Sequence, residues 1–149
     1  MSVVVRTLGP NIQRERPMIE CSCLCGRIAF QVDGDLQSVR YCHCSNCRKF
    51  AGTSPAAWAI ANSADFSAPT DVAIGRFDSG QGIRCFCPDC GSPVWFESKD
   101  YPEILGIPLG VIDAGIVPTV EMHLWVHSKP DWYSINDDKP KFSRGPDHR

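Results

Sequence analysis

The chain has 149 residues, a formal net charge of -2 and a pI near 6.0. That length suits one domain with a real apolar core, and the charge gives no basic footprint for nucleic acid or an anionic membrane. No apolar run approaches the ~20 residues of a membrane span, and Met1 to Pro17 lacks the basic start, apolar block and small-residue site of a signal peptide.

The expected organisation is an N-terminal extension over 1–17, one domain over 18–142 and a tail over 143–149, in a cytoplasmic protein whose thiols stay reduced. Taken in order, Arg27 to Asp33 alternates, with Ile28, Phe30 and Val32 on one side, and reads as a half-buried strand. Gly34-Asp35 signals a turn, and Leu36 to Cys42 reads as a second strand. Cys44 to Ala51 suits a helical turn, broken by Gly52 to Pro55; Ala56 to Ala61 is a short buried strand. Asp71 to Asp78 and Gly82 to Phe86 flank Ser79-Gly80-Gln81 as a hairpin, and Pro93 to Glu97 is another strand. Ile104 to Ile112 is cut by Gly106, Pro108 and Gly110 into one or two short strands, with a turn at Asp113 to Gly115. Thr119 to His127 alternates: Val120, Met122, Leu124 and Val126 take one side, and Glu121, His123, Trp125 and His127 the other. From Ser134 the chain is polar and proline-containing. Many short strands with Gly/Pro turns predict a mainly β domain.

The nine cysteines fall in three groups: Cys21, Cys23, Cys25; Cys42, Cys44, Cys47; and Cys85, Cys87, Cys90. An odd, clustered set in a chain without an export signal predicts metal ligands rather than disulfides. Cys87-Pro88-Asp89-Cys90-Gly91 has the spacing of a zinc knuckle, with glycine supplying a positive φ at the exit. One knuckle gives two ligands, so a closed site needs two more. Cys23 and Cys25 are candidates. On an extended strand such residues stand ~6.6 Å apart, whereas thiolates on a tetrahedral metal approach to about 3.8 Å, so the chain must bend there. Cys42, Cys44 and Cys47 then remain as a three-thiolate site with an open fourth position. The rival assignment pairs Cys44 and Cys47 with Cys87 and Cys90, as in a zinc ribbon; spacing alone leaves both open.

In order, C-x-C-G at Cys23, C-H-C-x-x-C-R at Cys42, F-C-x-x-C-G-S-P at Phe86 and the later HLWVHSKPDWYSINDDKPKF resemble the glutathione-dependent formaldehyde-activating enzyme family, which also contains centromere protein V. The resemblance covers about Met18 to Phe142. It implies an Mss4-like fold of short antiparallel sheets stapled by a structural zinc on Cys23, Cys25, Cys87 and Cys90, with a second zinc on Cys42, Cys44 and Cys47. It also implies carbon–sulfur lyase chemistry, joining glutathione and formaldehyde as S-(hydroxymethyl)glutathione. Three thiolates make zinc a weak Lewis acid that suits holding a further thiol as thiolate. Arg48 is the expected contact for an anionic thiol, with Lys49 and Arg40 nearby. His43 is expected to point away from the metal, and His123 to hold a structural hydrogen bond. Cys21 and Cys85, outside the family pattern, are expected as neighbouring buried thiols. The competing reading is a non-catalytic zinc-stabilised interaction module.

Overall fold

A computed structural model describes residues 16–146. The expected extension lies, but for Arg16 and Pro17, outside the described residues, as do the last three residues of the expected tail. The chain is mainly β, with eleven strands in two sheets and one short helix among the described residues. No described helix is long and apolar enough to cross a membrane.

The smaller sheet runs β10-β1-β2-β5, built from β1 (Met18–Ser22), β2 (Ala29–Asp33), β5 (Phe66–Ser67) and β10 (Ile112–Ala114). The larger runs β11-β3-β4-β9-β8-β7-β6. Its members are β3 (Ser38–Cys42), β4 (Ala56–Asn62), β6 (Gly75–Asp78), β7 (Gly82–Phe86), β8 (Pro93–Ser98), β9 (Ile104–Pro108) and β11 (Met122–Leu124). All its pairings are antiparallel except that of β11 with β3.

The sheets share one core. Ile19, Phe30 and Val32 from the smaller sheet are buried with Val39, Ala59, Ala61, Cys85, Trp95, Leu105 and Ile107 from the larger. The Phe30 ring meets Trp95 edge-on at 5.4 Å between centroids, a favoured aromatic geometry. Because strand side chains alternate, the residues between these face the other way: Arg40 and Cys42, Trp58 and Ile60, Arg84, Phe96 and Ser98, Ile104 and Gly106 all line one cavity. The larger sheet thus has a core face and a cavity face.

A polar network stitches the strands beside the core. Glu97 takes both guanidinium nitrogens of Arg76, at 3.0 and 2.6 Å, and the indole N–H of buried Trp95 at 3.0 Å. The Arg76 hydrogen bonds hold the Glu97 carboxyl below its ordinary value. Its stabilising contribution is therefore present above the ordinary carboxylate range and is lost as pH falls below it. Glu97→Gln should cost about 1–2 kcal/mol in urea unfolding at pH 7, and the difference from wild type should shrink below about pH 4. An unchanged difference at low pH would refute the assignment.

Met18–Ser22, ahead of the elements read from the sequence, is a full strand, paired with β2 along its whole length. The structure departs from the sequence expectations in two places. The turn expected at Asp113 to Gly115 is mostly strand β10, because Glu20 and Cys21 take Ala114 and Ile112 as partners. Thr119 to His127 is not one alternating strand. Only Met122–Leu124 is extended; Trp125 turns left-handed at φ 58, and a 3-10 turn follows over Val126–Ser128. His123, on the polar side of that alternation, is buried and hydrogen-bonded. The polar C-terminal stretch folds back over it: His123 N donates to the carbonyl of Pro140 at 2.8 Å, and Phe142 N to the carbonyl of His123 at 2.9 Å.

Candidate metal centres and their cavity

Cys23, Cys25, Cys87 and Cys90 bring their sulfurs within 4.8 Å of one another. The Cys23–Cys25 separation is 3.6 Å and Cys25–Cys87 is 3.8 Å, the spacing that a tetrahedral metal with ~2.3 Å sulfur bonds requires. The bend that makes this possible follows β1. Gly26 N donates to the carbonyl of Cys23 at 2.9 Å, with Gly26 at φ 76. Opposite it, Gly91 N donates to the carbonyl of Cys87 at 2.8 Å, with Gly91 at φ 75. The two turns are also joined by Leu24 N donating to Ser92 Oγ at 3.0 Å and by the Arg27–Asp89 ion pair at 2.7 Å. Hydrogen bonding to Ser92 brings the Cys90 thiol down to about 5, so it is readily available as a thiolate. The cluster links the end of the smaller sheet to the β7–β8 loop of the larger one.

Cys42, Cys44 and Cys47 form a separate group, again within 4.8 Å. The ribbon pairing of Cys44 and Cys47 with Cys87 and Cys90 does not occur. Cys42 ends β3, and Cys44 caps the helix α1 (Ser45–Ala51), its sulfur accepting from Cys47 N at 3.3 Å. Sulfur here takes the place of the oxygen of a usual Ser or Asp cap. Hydrogen bonds from Cys42 and Cys47 lower the Cys44 thiol strongly, and those with Cys44 and Cys47 raise Cys42, so one sulfur of the three carries negative charge most easily.

This second group opens into a cavity of about 460 Å³, lined by Cys42 and Cys47, within the size range of small-molecule sites. Arg40, Arg84 and Arg144 line it too, as do Trp58, Phe96 and Trp125. Both terminal nitrogens of Arg84 lie 3.9 Å from Cys47 Sγ. Gly106 lets the Trp58 ring pack close to β9, since a Cβ there would stand 3.2 Å from it. Arg48 does not line this cavity. With Lys49, Ser54 and Trp132 it lines a separate cleft of about 160 Å³. Sequence reading missed Arg84, although the two-residue period of Gly82 to Phe86 places it opposite Cys85.

His43 points away from the cluster, as expected. Its Nε2 lies 2.9 Å from Nδ1 of His123, whose Nε2 lies 3.1 Å from Asp137. With Asp137 accepting, His123 carries its proton on Nε2, and His43 donates from Nε2. Burial, the largest cause, lowers His43 to about 4, so it is neutral at pH 7. The chain of hydrogen bonds ties the turn between Cys42 and Cys44 to the returning C-terminal segment.

All nine cysteines are free. Cys21 and Cys85 are buried thiols in the same core, and burial raises each to about 12. Their neighbours differ: the charge acting on Cys21 is Asp113, while Cys85 hydrogen-bonds Glu97 and Arg76.

The family model described as "Glutathione-dependent formaldehyde-activating enzyme" matches residues 18–128. A relative from Halomonas elongata, whose name carries the same formaldehyde-activating description, is 31% identical over 127 residues, 79% of this chain and 81% of the relative. The crystal structure of a Rhodobacter sphaeroides protein superposes with a TM-score of 0.51 at 23% identity, over 66% of this chain and 91% of the other, which supports the fold alone. The ordered cysteine motifs, the two sulfur clusters they build and the family match agree: this chain belongs to the glutathione-dependent formaldehyde-activating enzyme family.

Proposed function

We propose that the protein is a zinc-dependent carbon–sulfur lyase-type enzyme with an Mss4-like fold. It forms or breaks the adduct between a small anionic thiol, glutathione or a relative of it, and formaldehyde or another small electrophile. In this reading Cys23, Cys25, Cys87 and Cys90 hold a structural zinc, and Cys42, Cys44 and Cys47 hold a catalytic one. The observation that carries it is the open three-sulfur cluster facing a cavity edged by three arginines. A four-sulfur cluster is a complete ligand set, whereas a three-sulfur cluster leaves one position for a ligand from the cavity.

Zinc bound at the open cluster supplies a position where a further thiol is stabilised as thiolate. The chain supplies the rest. Arg84, against Cys47, offsets the negative charge of the sulfurs. Arg40, buried enough to lower its own basicity, and Arg144 at the rim are suited to the carboxylates of the thiol, which guanidinium groups bind in a fixed fork. Trp58, Phe96 and Trp125 limit the water around the reacting atoms. Arg48 and Lys49, in the neighbouring cleft, add positive potential near α1 without lining the cavity.

Metal analysis with and without glutathione tests this. Two zinc ions per chain are expected, one removed easily by chelator. In cobalt-substituted protein, the visible bands of the labile site should change on adding glutathione. A single, tightly held metal indifferent to glutathione would overturn the reading.

A further inference from the structure

The thiol-adduct reading leaves open which groups hold the oxygen of the electrophile when carbon–sulfur bond formation makes it negative. We propose that Arg84 and Trp58 are those donors, an inference that rests on that reading.

Both side chains are almost fully enclosed, Arg84 being 3% and Trp58 6% exposed. Both line the cavity. Yet the Nε of Arg84 and the Nε1 of Trp58 are buried with no hydrogen-bond partner among the described residues. A buried donor left without an acceptor costs about 1–3 kcal/mol, and native proteins seldom leave one so without reason. With Arg40 Nε, which is also buried and unpartnered on this cavity, these donors point to acceptors that arrive with the ligand, Arg40 facing the carboxylates assigned to it above and the other two the reacting oxygen.

Their setting favours an oxygen at the reacting centre over a remote carboxylate. The terminal nitrogens of Arg84 already lie 3.9 Å from Cys47 Sγ, so its guanidinium stands beside the sulfur cluster where the attacking thiol would sit. No carboxylate within 4.0 Å pairs with Arg84 among the described residues. Instead its charge is held over two rings, 4.9 Å from the centroid of Phe96 and 5.3 Å from that of Phe50. Arg84 and Phe96 are cross-strand partners, and Trp58 meets Phe96 edge-on at 6.5 Å. Phe96 therefore packs against both donor-bearing side chains. Fixed donors in a water-poor site need little reorganisation when charge appears, which is the condition for stabilising a developing oxyanion.

In the forward step the sulfur electron pair forms the C–S bond, and the π pair of the C=O bond moves onto oxygen. The proton lost by the thiol ends on that oxygen. Nothing is oxidised or reduced, and the reverse step breaks the same C–S bond. Arg84 and Trp58 donate hydrogen bonds to the oxygen and keep their protons.

Trp58→Phe removes the N–H and keeps a ring; Arg84→Lys keeps a charge and removes the Nε donor. Each should lower kcat for adduct formation from glutathione and formaldehyde about 100-fold, with the KM for glutathione and the metal content little changed. Independently of turnover, the indole N–H resonance of Trp58, identified by its loss in Trp58→Phe, should shift in isotope-labelled protein on titration with formate. That shift should be absent in Arg84→Gln. A wild-type kcat in Trp58→Phe, or a Trp58 resonance indifferent to formate, would overturn the proposal. If Arg84→Gln loses metal, Trp58→Phe alone decides. If the wild-type protein forms no adduct, the thiol reading fails, and the formate titration still decides whether this pair holds an oxyanion.

Discussion

Cys87→Ser is expected to unfold the domain. Cys87 is fully buried, and its sulfur lies 3.8 Å from that of Cys25 in a cluster that joins the two sheets across more than sixty residues of sequence. A serine hydroxyl is a poor ligand for a soft site, and at this position it would also be a buried polar group. Structural zinc in small domains contributes about 10–16 kcal/mol of apparent binding energy, comparable with the whole ~5–15 kcal/mol by which domains are stable. Circular dichroism should show no cooperative melt above 25 °C for Cys87→Ser, and chelation of the wild type to the last metal should reproduce that result. A melt within a few degrees of wild type would show that the shared core of Ile19, Phe30 and Trp95 holds the sheets together unaided.

Cys44→Ser is expected to do the opposite: keep the fold and abolish the activity. Cys44 is the cap of α1, and serine is a preferred residue at that position because its oxygen also accepts from the first-turn N–H groups. The substitution therefore preserves the helix while removing one sulfur from the three-sulfur cluster. One metal per chain should be lost, the melting temperature should stay within a few degrees, and adduct formation should fall by about 10³-fold or more. If Cys44→Ser and Cys87→Ser destabilise the chain equally, both clusters are structural and the catalytic reading fails.

Much of the architecture was legible because alternation and turn chemistry are local. The hairpin of β6 and β7 about Ser79 to Gln81 and the buried strand at Ala56 follow directly from them. What failed is what depends on distant partners. Asp113 and Ala114 read as a turn but are held extended by β1. His123 sat on the polar side of an alternating stretch, yet it is buried, because Asp137 and the chain from Pro140 to Phe142 cover that side. The spacing of the cysteines narrowed the sulfur clusters to two assignments, and the fold separates them. The cationic surroundings of the open cluster were harder to read. Arg48 is next to Cys47 in sequence, but the helix carries it to a neighbouring cleft, while Arg84, thirty-seven residues away, reaches the sulfur.

The division of the larger sheet into a core face and a cavity face has an evolutionary consequence. Along β3, β4, β9 and β8, consecutive residues answer to different demands: Val39, Ala59, Leu105 and Trp95 to packing, and Arg40, Trp58, Ile104 and Phe96 to whatever occupies the cavity. A descendant can therefore exchange what the cavity holds through substitutions at alternate positions while the packing code and both sulfur clusters are inherited intact. Divergence in this family should be written in every second residue of these strands, so that two members with the same cysteines and the same core can differ in their chemistry.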